Sequence, residues 1–262
     1  MQSTRWTKEQ LKLAFHLYCQ LPFGRLDQRT PEVIELSGLI GRTPSALAMK
    51  LVNLASLDPA ITGSGRKGLG NASRLDREVW DEFHANWESL AVECSTLVNA
   101  LRERSGISLE VDNESAYSTS TDYTGETRKA LTEQRIKQGF FRRAVLSSYR
   151  GRCCMSGVSD ARLLIASHIV PWSRDKRNRL NPSNGLCLSA IHDRAFDKGL
   201  IALSDDFRVL VSDDLRRRND AFLNYVLVSL DRRQIELPER FLPDPTLVVR
   251  HRTEYFVDNL LR

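Results

Sequence analysis

Three short segments between residues 166 and 199 constrain this chain more than any other part of it. The first carries His168 followed by Ile-Val-Pro-Trp, the second opens with Asn184-Gly, and the third carries His192 and ends in Phe-Asp-Lys-Gly. The asparagine follows the first histidine by 16 residues, and the second histidine follows the asparagine by 8. A lone histidine is usually a surface or core residue and Asn-Gly is usually a turn. The joint pattern is hard to obtain by chance, so it indicates a functional site.

The order, spacing and flanking residues of these segments resemble those of HNH endonucleases, which have a ββα-metal fold. A basic helix and the segment 151–157 precede the motif as in one HNH subfamily, so the resemblance covers about residues 130–257. It implies an α+β protein in which a C-terminal HNH nuclease domain, residues 128–262, follows an all-helical domain, residues 1–104. The polar, Ser/Thr-rich residues 105–127 between them are expected to be a linker. The implied activity is metal-dependent hydrolysis of DNA phosphodiester bonds, in a restriction or defence role.

The resemblance assigns a role to each residue of the motif. His168 is the general base at the end of a strand, Asn184 orients it, and His192 completes the catalytic set as a metal ligand. A neutral imidazole can take a proton from water near pH 7, and an amide can fix its ring. Asp197 lies five residues after His192 and need not share its helix face, so it is either a second metal ligand or a structural cap. The expected metal is Mg²⁺, with Mn²⁺ as the alternative.

The residue before the first histidine departs from the strongest HNH pattern. Many members carry Asp, Glu or His there as a metal ligand, whereas this chain has Ser167, a poor ligand. We therefore expect a metal held by fewer protein groups, with water completing its shell, as Mg²⁺ tolerates. The substitution leaves the identity of the metal and the catalytic rate open, but not the fold.

The basic charge of the chain is concentrated in the half that contains the motif. Residues 1–130 hold 15 Lys and Arg against 17 Asp and Glu, whereas residues 131–262 hold 23 against 16. A polyanionic substrate favours such a placement, although a basic half is also common among soluble proteins. The residues expected to contact nucleic acid lie in the loop between the first histidine and the asparagine and on the preceding helix: Arg174, Lys176, Arg177, Arg179, Arg142 and Arg143.

Several patterns bear on location and cofactors. The sequence has no apolar run near 18 residues and no signal-peptide pattern at its N-terminus, so no membrane partner is expected. The five cysteines are odd in number and scattered, which suits reduced thiols in a cytoplasmic protein. Because no Cys-x-x-Cys occurs, we expect no structural zinc, and we expect Cys153 and Cys187 to be core residues of the small sheet.

The N-terminal half is predicted to be helical. Apolar spacing indicates a helix over residues 7–20, and Thr-Pro pairs at 30–31 and 43–44 indicate two further helix starts separated by Gly41. These two helices have the outline of a helix-turn-helix. The second is either a DNA-reading helix or the core helix of a plain hairpin, and its few basic residues favour the hairpin. The DNA contacts in the first case are Arg42, Ser45, Lys50 and Asn53.

The remaining elements follow from the same kinds of pattern. We expect one long helix over residues 75–104, a basic helix over 128–149, and a hairpin formed by 200–203 and 207–211. Prolines mark the tail from residue 238 as irregular until a closing helix near 254–261. The basic cluster 216–218 is either a phosphate clamp or a solvated face.

Two other functions stay open at this point. The serine at position 167 is compatible with a DNA-binding regulator whose HNH module is a catalytically inactive scaffold. An HNH nuclease that acts on RNA is the other, slightly disfavoured because no sheet pattern of RNA-binding aromatics is visible. A homodimer is plausible for a DNA nuclease, since one site cuts one strand and a double-strand break needs two.

Overall fold

The computed structural model describes residues 5–63, 65, 70–106 and 125–260. Most of the expected linker, residues 107–124, lies outside these ranges. The described fold is α+β, as the sequence predicted. Its N-terminal helices are α1 (Lys8–Gln20), α2 (Pro31–Leu39), α3 (Pro44–Ala55), α4 (Pro59–Gly63), α5 (Arg74–Ala85) and α6 (Trp87–Arg104). The elements that follow are α7 (Gly125–Ser148), β1 (Leu164–His168), β2 (Gly185–Ser189), α8 (Ala190–Asp197), β3 (Ile201–Leu203), β4 (Val209–Val211), α9 (Asp213–Arg217), α10 (Ala221–Val226), α11 (Pro245–Glu254) and α12 (Val257–Leu260).

The helix starts predicted from the two Thr-Pro pairs are confirmed, although the Thr30 side chain makes no capping bond, and α1 begins within one residue of the start that apolar spacing predicted. Thr7 and Gln10 form a capping box at the start of α1, in which each side chain satisfies a backbone N–H of the other. Pro31 and Pro44 are the first residues of α2 and α3, and the Thr43 hydroxyl accepts a hydrogen bond from the Ala46 N–H at 3.2 Å. Local chemistry at these positions therefore sets where the helices begin.

The single long helix expected over residues 75–104 is wrong. The chain breaks at Asn86, which adopts φ −152° and ψ 71° and ends α5. Its side-chain oxygen then accepts a hydrogen bond from the Ser89 N–H at 3.2 Å and caps α6. The new direction places Trp87 in the core, where it is 1% exposed. An asparagine that caps a second helix outweighs the apolar periodicity that continues through it.

Two of the four DNA contacts expected on the packed pair α2 and α3 are buried within the helical half. Lys50, an expected DNA contact, is buried and donates to both carboxylate oxygens of Asp76 at 3.0 Å. Asn53 is buried as well, and the Arg42 guanidinium donates to the Gln10 side chain at 2.8 Å. The side chains of Lys50 and Asn53 therefore do not face a nucleic acid.

The centre of the C-terminal half is a two-stranded ribbon between two helices. β1 and β2 pair antiparallel with Leu164 opposite Ser189 and His168 opposite Gly185, while α7 covers one face and α8 the other. A Cβ atom at Gly185 would lie 2.3 Å from Cγ2 of Val145 on α7. The glycine of the Asn-Gly pair is thus required by the close approach of α7 to the ribbon.

The second predicted hairpin is confirmed, but the expected tail is partly wrong. β3 and β4 pair antiparallel with Ile201 opposite Val211. The tail is not irregular up to residue 254, because Pro245 is the first residue of α11 and the Asp244 side chain accepts from the Thr246 N–H at 2.8 Å. This proline begins a helix instead of preventing one.

One apolar core runs through both halves of the described chain, in which α1 packs against α7 and α7 against β1. The fully buried Arg240 reinforces this junction. Its guanidinium donates to the Tyr18 and Cys19 carbonyls of α1 and to the Ser147 hydroxyl of α7. Among the described helices, none has both the length and the apolar character needed to cross a membrane.

Candidate active site

His168 closes β1 and lies on the face of the ribbon that meets α7. Its ring is stacked on that of Phe141, with centroids 3.9 Å apart and planes 8° from parallel. Trp172 meets the same ring edge-on, with centroids 5.7 Å apart. Because side chains alternate along a strand, the preceding Ser167 faces the opposite side, toward α8.

A single polar contact fixes the tautomer of His168. Its Nε2 lies 2.9 Å from the backbone carbonyl oxygen of Arg179. A carbonyl can only accept, so Nε2 carries the proton and Nδ1 holds the lone pair in the neutral ring. Nδ1 has no hydrogen-bond partner among the described residues. Burial lowers the pKa of His168, and the Arg179 carbonyl opposes this only in part, so the ring is neutral near pH 7.

Asn184 braces the loop that follows His168. Its fully buried side chain accepts from the Val170 N–H at 2.8 Å and donates to the carbonyls of Val170 and Asn178, both at 3.1 Å. The sequence led us to expect a bond to the His168 ring itself. The structure instead has the amide hold the backbone two residues beyond that histidine, which fixes its position indirectly.

Both ring nitrogens of His192, which lies near the start of α8, contact other groups of the protein. Nδ1 lies 2.6 Å from Ser189 Oγ and 3.6 Å from Cys153 Sγ, and Nε2 lies 3.0 Å from the Val226 carbonyl oxygen. Burial lowers the pKa of His192, but the interaction with Cys153 outweighs burial, and the net effect is a raised pKa. Burial raises the pKa of Cys153, but the hydrogen bonds from His192 and nearby donors outweigh burial and lower that pKa to about 6. His192 therefore has no free nitrogen in this structure.

Cys153 is a neighbour of the site that the sequence did not reveal. It and Cys187 are buried, as expected for core residues. The contact of Cys153 with His192 joins positions 39 residues apart, and no local pattern indicates it.

Asp193 is a second residue that the sequence analysis missed. It is half-buried beside Ser167, and burial raises its pKa while the serine hydroxyl lowers it. Asp197 is exposed, and burial together with the charge of Asp193 raises its pKa. The spacing of four residues between these carboxylates was the available signal. In the described part of the chain, no group of three or more His, Cys, Asp or Glu side chains is arranged to hold a metal ion.

The expected nucleic-acid contacts fall into two groups. Arg174, Lys176 and Arg177 are exposed in the loop after Trp172. Arg179 is only partly exposed, and its Nε donates to the Trp172 carbonyl at 2.9 Å, which closes that loop. The exposed cations belong to the same loop whose Arg179 carbonyl holds His168 in place.

The two arginines expected to bind from α7 make bonds within the chain. Arg142 donates to the carbonyl oxygens of Leu164 at 2.8 Å and Ala161 at 3.1 Å, and so positions the backbone that enters β1. Arg143 is exposed and donates to the Gln20 side chain at 2.5 Å. Arg142 therefore supports the ribbon, and Arg143 connects α7 to α1.

Comparison with known families identifies the same segment. Residues 153–204 match the family model described as HNH endonuclease. The matched residues include His168, Asn184, His192 and Asp197, and they span the ribbon, α8 and β3. No curated protein matches the chain.

Proposed function

Residues 153–204 carry the HNH endonuclease pattern on a β1–β2–α8 unit, and from this premise we propose that the protein hydrolyses DNA phosphodiester bonds with a divalent cation. The observation that carries the proposal is the state of His168. Its Nε2 is held by the Arg179 carbonyl at 2.9 Å, and its Nδ1 is left as a proton acceptor at the end of β1. This arrangement suits a general base that must be neutral, oriented and reachable by water.

In the proposed reaction, His168 Nδ1 takes a proton from a water molecule while the water oxygen forms a bond to phosphorus. The bond from phosphorus to the leaving sugar oxygen breaks, and that oxygen is protonated from solvent. The Arg179 carbonyl accepts from Nε2–H throughout and stabilises the imidazolium that forms. A divalent cation, if held through Asp197, would supply charge stabilisation to the reacting phosphate.

The carboxylates of α8 are the kind of donor that a hard cation such as Mg²⁺ or Mn²⁺ prefers, while the described residues contain no group of three His, Cys, Asp or Glu donors arranged around one ion. These ions prefer oxygen ligands and retain several waters. Asp197, expected from the sequence as a ligand, presents an exposed carboxylate on α8. His192 would have to give up its contact with the Val226 carbonyl in order to ligate a metal through Nε2.

A nucleic acid is the proposed substrate because cations project from the loop beside the general base, and DNA is proposed over RNA on the family resemblance. Arg174, Lys176 and Arg177 are exposed there and are suited to contacting phosphates on either side of the bond that is cut. A restriction or defence role and a homodimer belong to the same proposal and rest on the family resemblance.

The test is cleavage of supercoiled plasmid DNA in the presence of Mg²⁺, Mn²⁺ or EDTA. We expect cation-dependent nicking that falls by about 100- to 10,000-fold in His168→Ala, the loss typical of a missing general base. His84→Ala, which removes an exposed histidine on α5, is the matched control and is expected to cut like the wild type. RNA of the same sequence and modified phage DNA, assayed in parallel, test the substrate and the defence role.

One observation favours a second candidate, the inactive scaffold. Both nitrogens of His192 contact protein groups, so the second histidine of the motif has no nitrogen available to bind a metal in this arrangement. If no nucleic acid is cut under any condition while DNA binding persists in His168→Ala, the protein is a DNA-binding scaffold and the nuclease proposal is wrong.

A further inference from the structure

Two aromatic rings are exposed on α10, a short helix beside the candidate active site. Phe222 and Tyr225 are 62% and 81% exposed, and the latter is the highest value of any large apolar side chain among the described residues. The two residues are three positions apart, so their rings project from one side of the helix. Leu223 and Val226, on the neighbouring side, pack against the apolar core. Folding therefore buries one side of α10 and leaves two large rings in solvent on the other.

The helix α10 contacts the candidate active site through its last residue. The Val226 carbonyl oxygen lies 3.0 Å from Nε2 of His192, the second histidine of the motif. Tyr225 is the residue before Val226, so the helix that presents the rings touches a motif residue directly. At its other end, the Asp220 side chain accepts from the Leu223 N–H at 2.9 Å and caps the helix. The two rings are thus held at a defined place beside the site.

The chain around α10 is basic. Residues 216–233 hold five arginines and two aspartates. Arg216 and Arg218 each form an ion pair with an aspartate at 2.9 Å. Arg217 is exposed, and no carboxylate lies within ion-pair distance of it in the described ranges. Of the basic cluster 216–218, this guanidinium is the one that can contact a phosphate without first breaking such a pair.

Exposed aromatic rings beside arginines are suited to a nucleic acid strand whose bases are unpaired. Bases stack on aromatic side chains while cations hold the phosphates of the same strand. In a duplex the neighbouring base pairs cover the faces of each base, so only an unstacked base can lie on such a ring. A second copy of the chain would bring a surface with the same excess of arginines. Charge therefore favours a polyanion over self-association as the occupant.

We propose that Phe222 and Tyr225 form a stacking surface for unpaired bases of the nucleic acid at the HNH site, with Arg217 at a neighbouring phosphate. The role of this stacking surface rests on the proposed function, since its ligand is the substrate of that reaction. It adds that the substrate is unpaired where it meets α10. Because every base has an aromatic face, the surface distinguishes unpaired from paired strands and not one base from another.

The test measures binding of the full chain to labelled oligonucleotides by fluorescence anisotropy, with EDTA present so that no strand is cut. One probe is an oligothymidine. The other has the same length and the same phosphates but carries no bases. We expect the wild type to bind the oligothymidine about 10-fold or more tightly than the abasic strand, because only the first can stack.

Substitutions of the rings separate stacking from charge. Tyr225→Ala and Phe222→Ala are each expected to weaken oligothymidine binding by about 5-fold or more and to leave abasic-strand binding unchanged. Tyr225→Phe keeps the ring and is expected to bind like the wild type. Val249→Ala removes an exposed apolar side chain from α11 in the same half of the chain, and this matched control is expected to bind both probes like the wild type.

A substitution of the arginine tests the phosphate contact. Arg217→Ala is expected to weaken the binding of both probes by the same factor and to reduce the salt dependence of the affinity, since a phosphate contact does not depend on the bases. The substituted side chains are all exposed, so melting temperatures measured by circular dichroism are expected to match that of the wild type. A loss of affinity at an unchanged melting temperature belongs to the surface and not to unfolding.

Three results would overturn the proposal. The first is equal affinity of the wild type for the two probes, and the second is equal binding of oligothymidine by Tyr225→Ala and Val249→Ala. The third is a wild-type dimer that Tyr225→Ala converts to a monomer in sedimentation velocity, with no change in oligothymidine affinity. The rings would then bind a second copy of the chain.

Plasmid cleavage with Mg²⁺, measured in parallel, keeps the stacking surface distinct from the nuclease proposal. If cleavage requires His168 but oligothymidine affinity is unchanged in Tyr225→Ala, the nuclease stands and the stacking surface does not. If oligothymidine binding requires Tyr225 but no nucleic acid is cut, the stacking surface stands and the nuclease does not.

Discussion

The imidazole of His168 lies face to face with the phenyl ring of Phe141, with 3.9 Å between centroids. Phe141 is 3% exposed and belongs to α7, the helix that also packs against α1. The plane of the proposed general base is therefore set by a rigid core residue, while the Arg179 carbonyl sets which nitrogen accepts the proton.

Replacing Phe141 by leucine is expected to impair the chemical step more than substrate binding. The ring of His168 would lose its stacking surface and sample other orientations, so we expect kcat to fall on the order of 10-fold with little change in KM for plasmid DNA. Phe140→Leu is the matched control, because Phe140 is buried on the same helix but stacks on His16. Equal losses of kcat in both variants would show that only general destabilisation is involved.

The pH dependence of cleavage is expected to reflect the burial of His168. Burial lowers its pKa below the ordinary value of 6.5. The neutral, proton-accepting form therefore persists below pH 6.5, and activity is lost only as the pH falls through the lowered pKa. We expect the acid limb of kcat/KM to have its midpoint below pH 6.5, and a midpoint at or above pH 7 would contradict this assignment.

The amide of Asn184 is expected to be important for stability. In Asn184→Asp a carboxylate would replace the donor that serves the Val170 and Asn178 carbonyls, in a fully buried position. We expect the free energy of unfolding to fall by about 2–4 kcal/mol, as for other broken buried hydrogen-bond networks. Urea unfolding measures this loss, and Asn224→Asp on the exposed side of α10 should change it by less than about 0.5 kcal/mol.

The close approach of Val145 to Gly185 can be tested with a compensating substitution. Gly185→Ala places a methyl group 2.3 Å from Cγ2 of Val145, so we expect a destabilisation of about 1–3 kcal/mol from overpacking. Adding Val145→Ala removes the obstructing atom. The double variant should therefore be more stable than the sum of the two single effects, as measured in a urea-unfolding double-mutant cycle. Simple additivity would show that another contact limits position 185.

Acid is expected to destabilise the fold through His251. Its ring is stacked on Phe196, and burial lowers its pKa to about 4. The unfolded side chain titrates near 6.5, so between pH 6.5 and 4 only the unfolded state takes up the proton. The stability is complete above pH 6.5, and about 2 kcal/mol of it is lost by pH 5. Denaturant unfolding of His251→Gln should show a pH dependence shallower by that amount, whereas an equal dependence would exclude His251 as the cause.

Local signals in the sequence predicted much of the fold. Thr43 and the prolines at 31 and 44 act on the backbone within three residues, so the starts of α2 and α3 could be predicted correctly, while apolar spacing located α1 to within one residue. Asn86 showed the limit of this approach. The apolar spacing continues through Asn86. Only the three-dimensional structure, in which Trp87 lies in the core, shows why α5 ends at Asn86.

The motif predicted three residues of the candidate site, but neither their contacts nor the neighbouring Cys153 and Asp193. The motif identified His168, Asn184 and His192, yet the partners of His192 are Cys153 and Val226, which lie 39 and 34 residues away in the sequence. Contacts at such separations depend on how α10 and the segment before β1 fold back over α8. They leave no periodic pattern in the sequence.

The buried guanidinium of Arg240 donates to the backbone carbonyls of Tyr18 and Cys19, 222 and 221 positions earlier, and so joins α1 to the segment before α11. A nuclease domain that is joined to a DNA-binding domain by a flexible linker can cut at a range of distances from the bound site. In this protein α1 packs against α7 and α7 against β1 around one shared core, so the three elements have a fixed arrangement. Under the proposed function, a DNA segment bound by the helical half would therefore lie a fixed number of base pairs from the bond that is presented to His168.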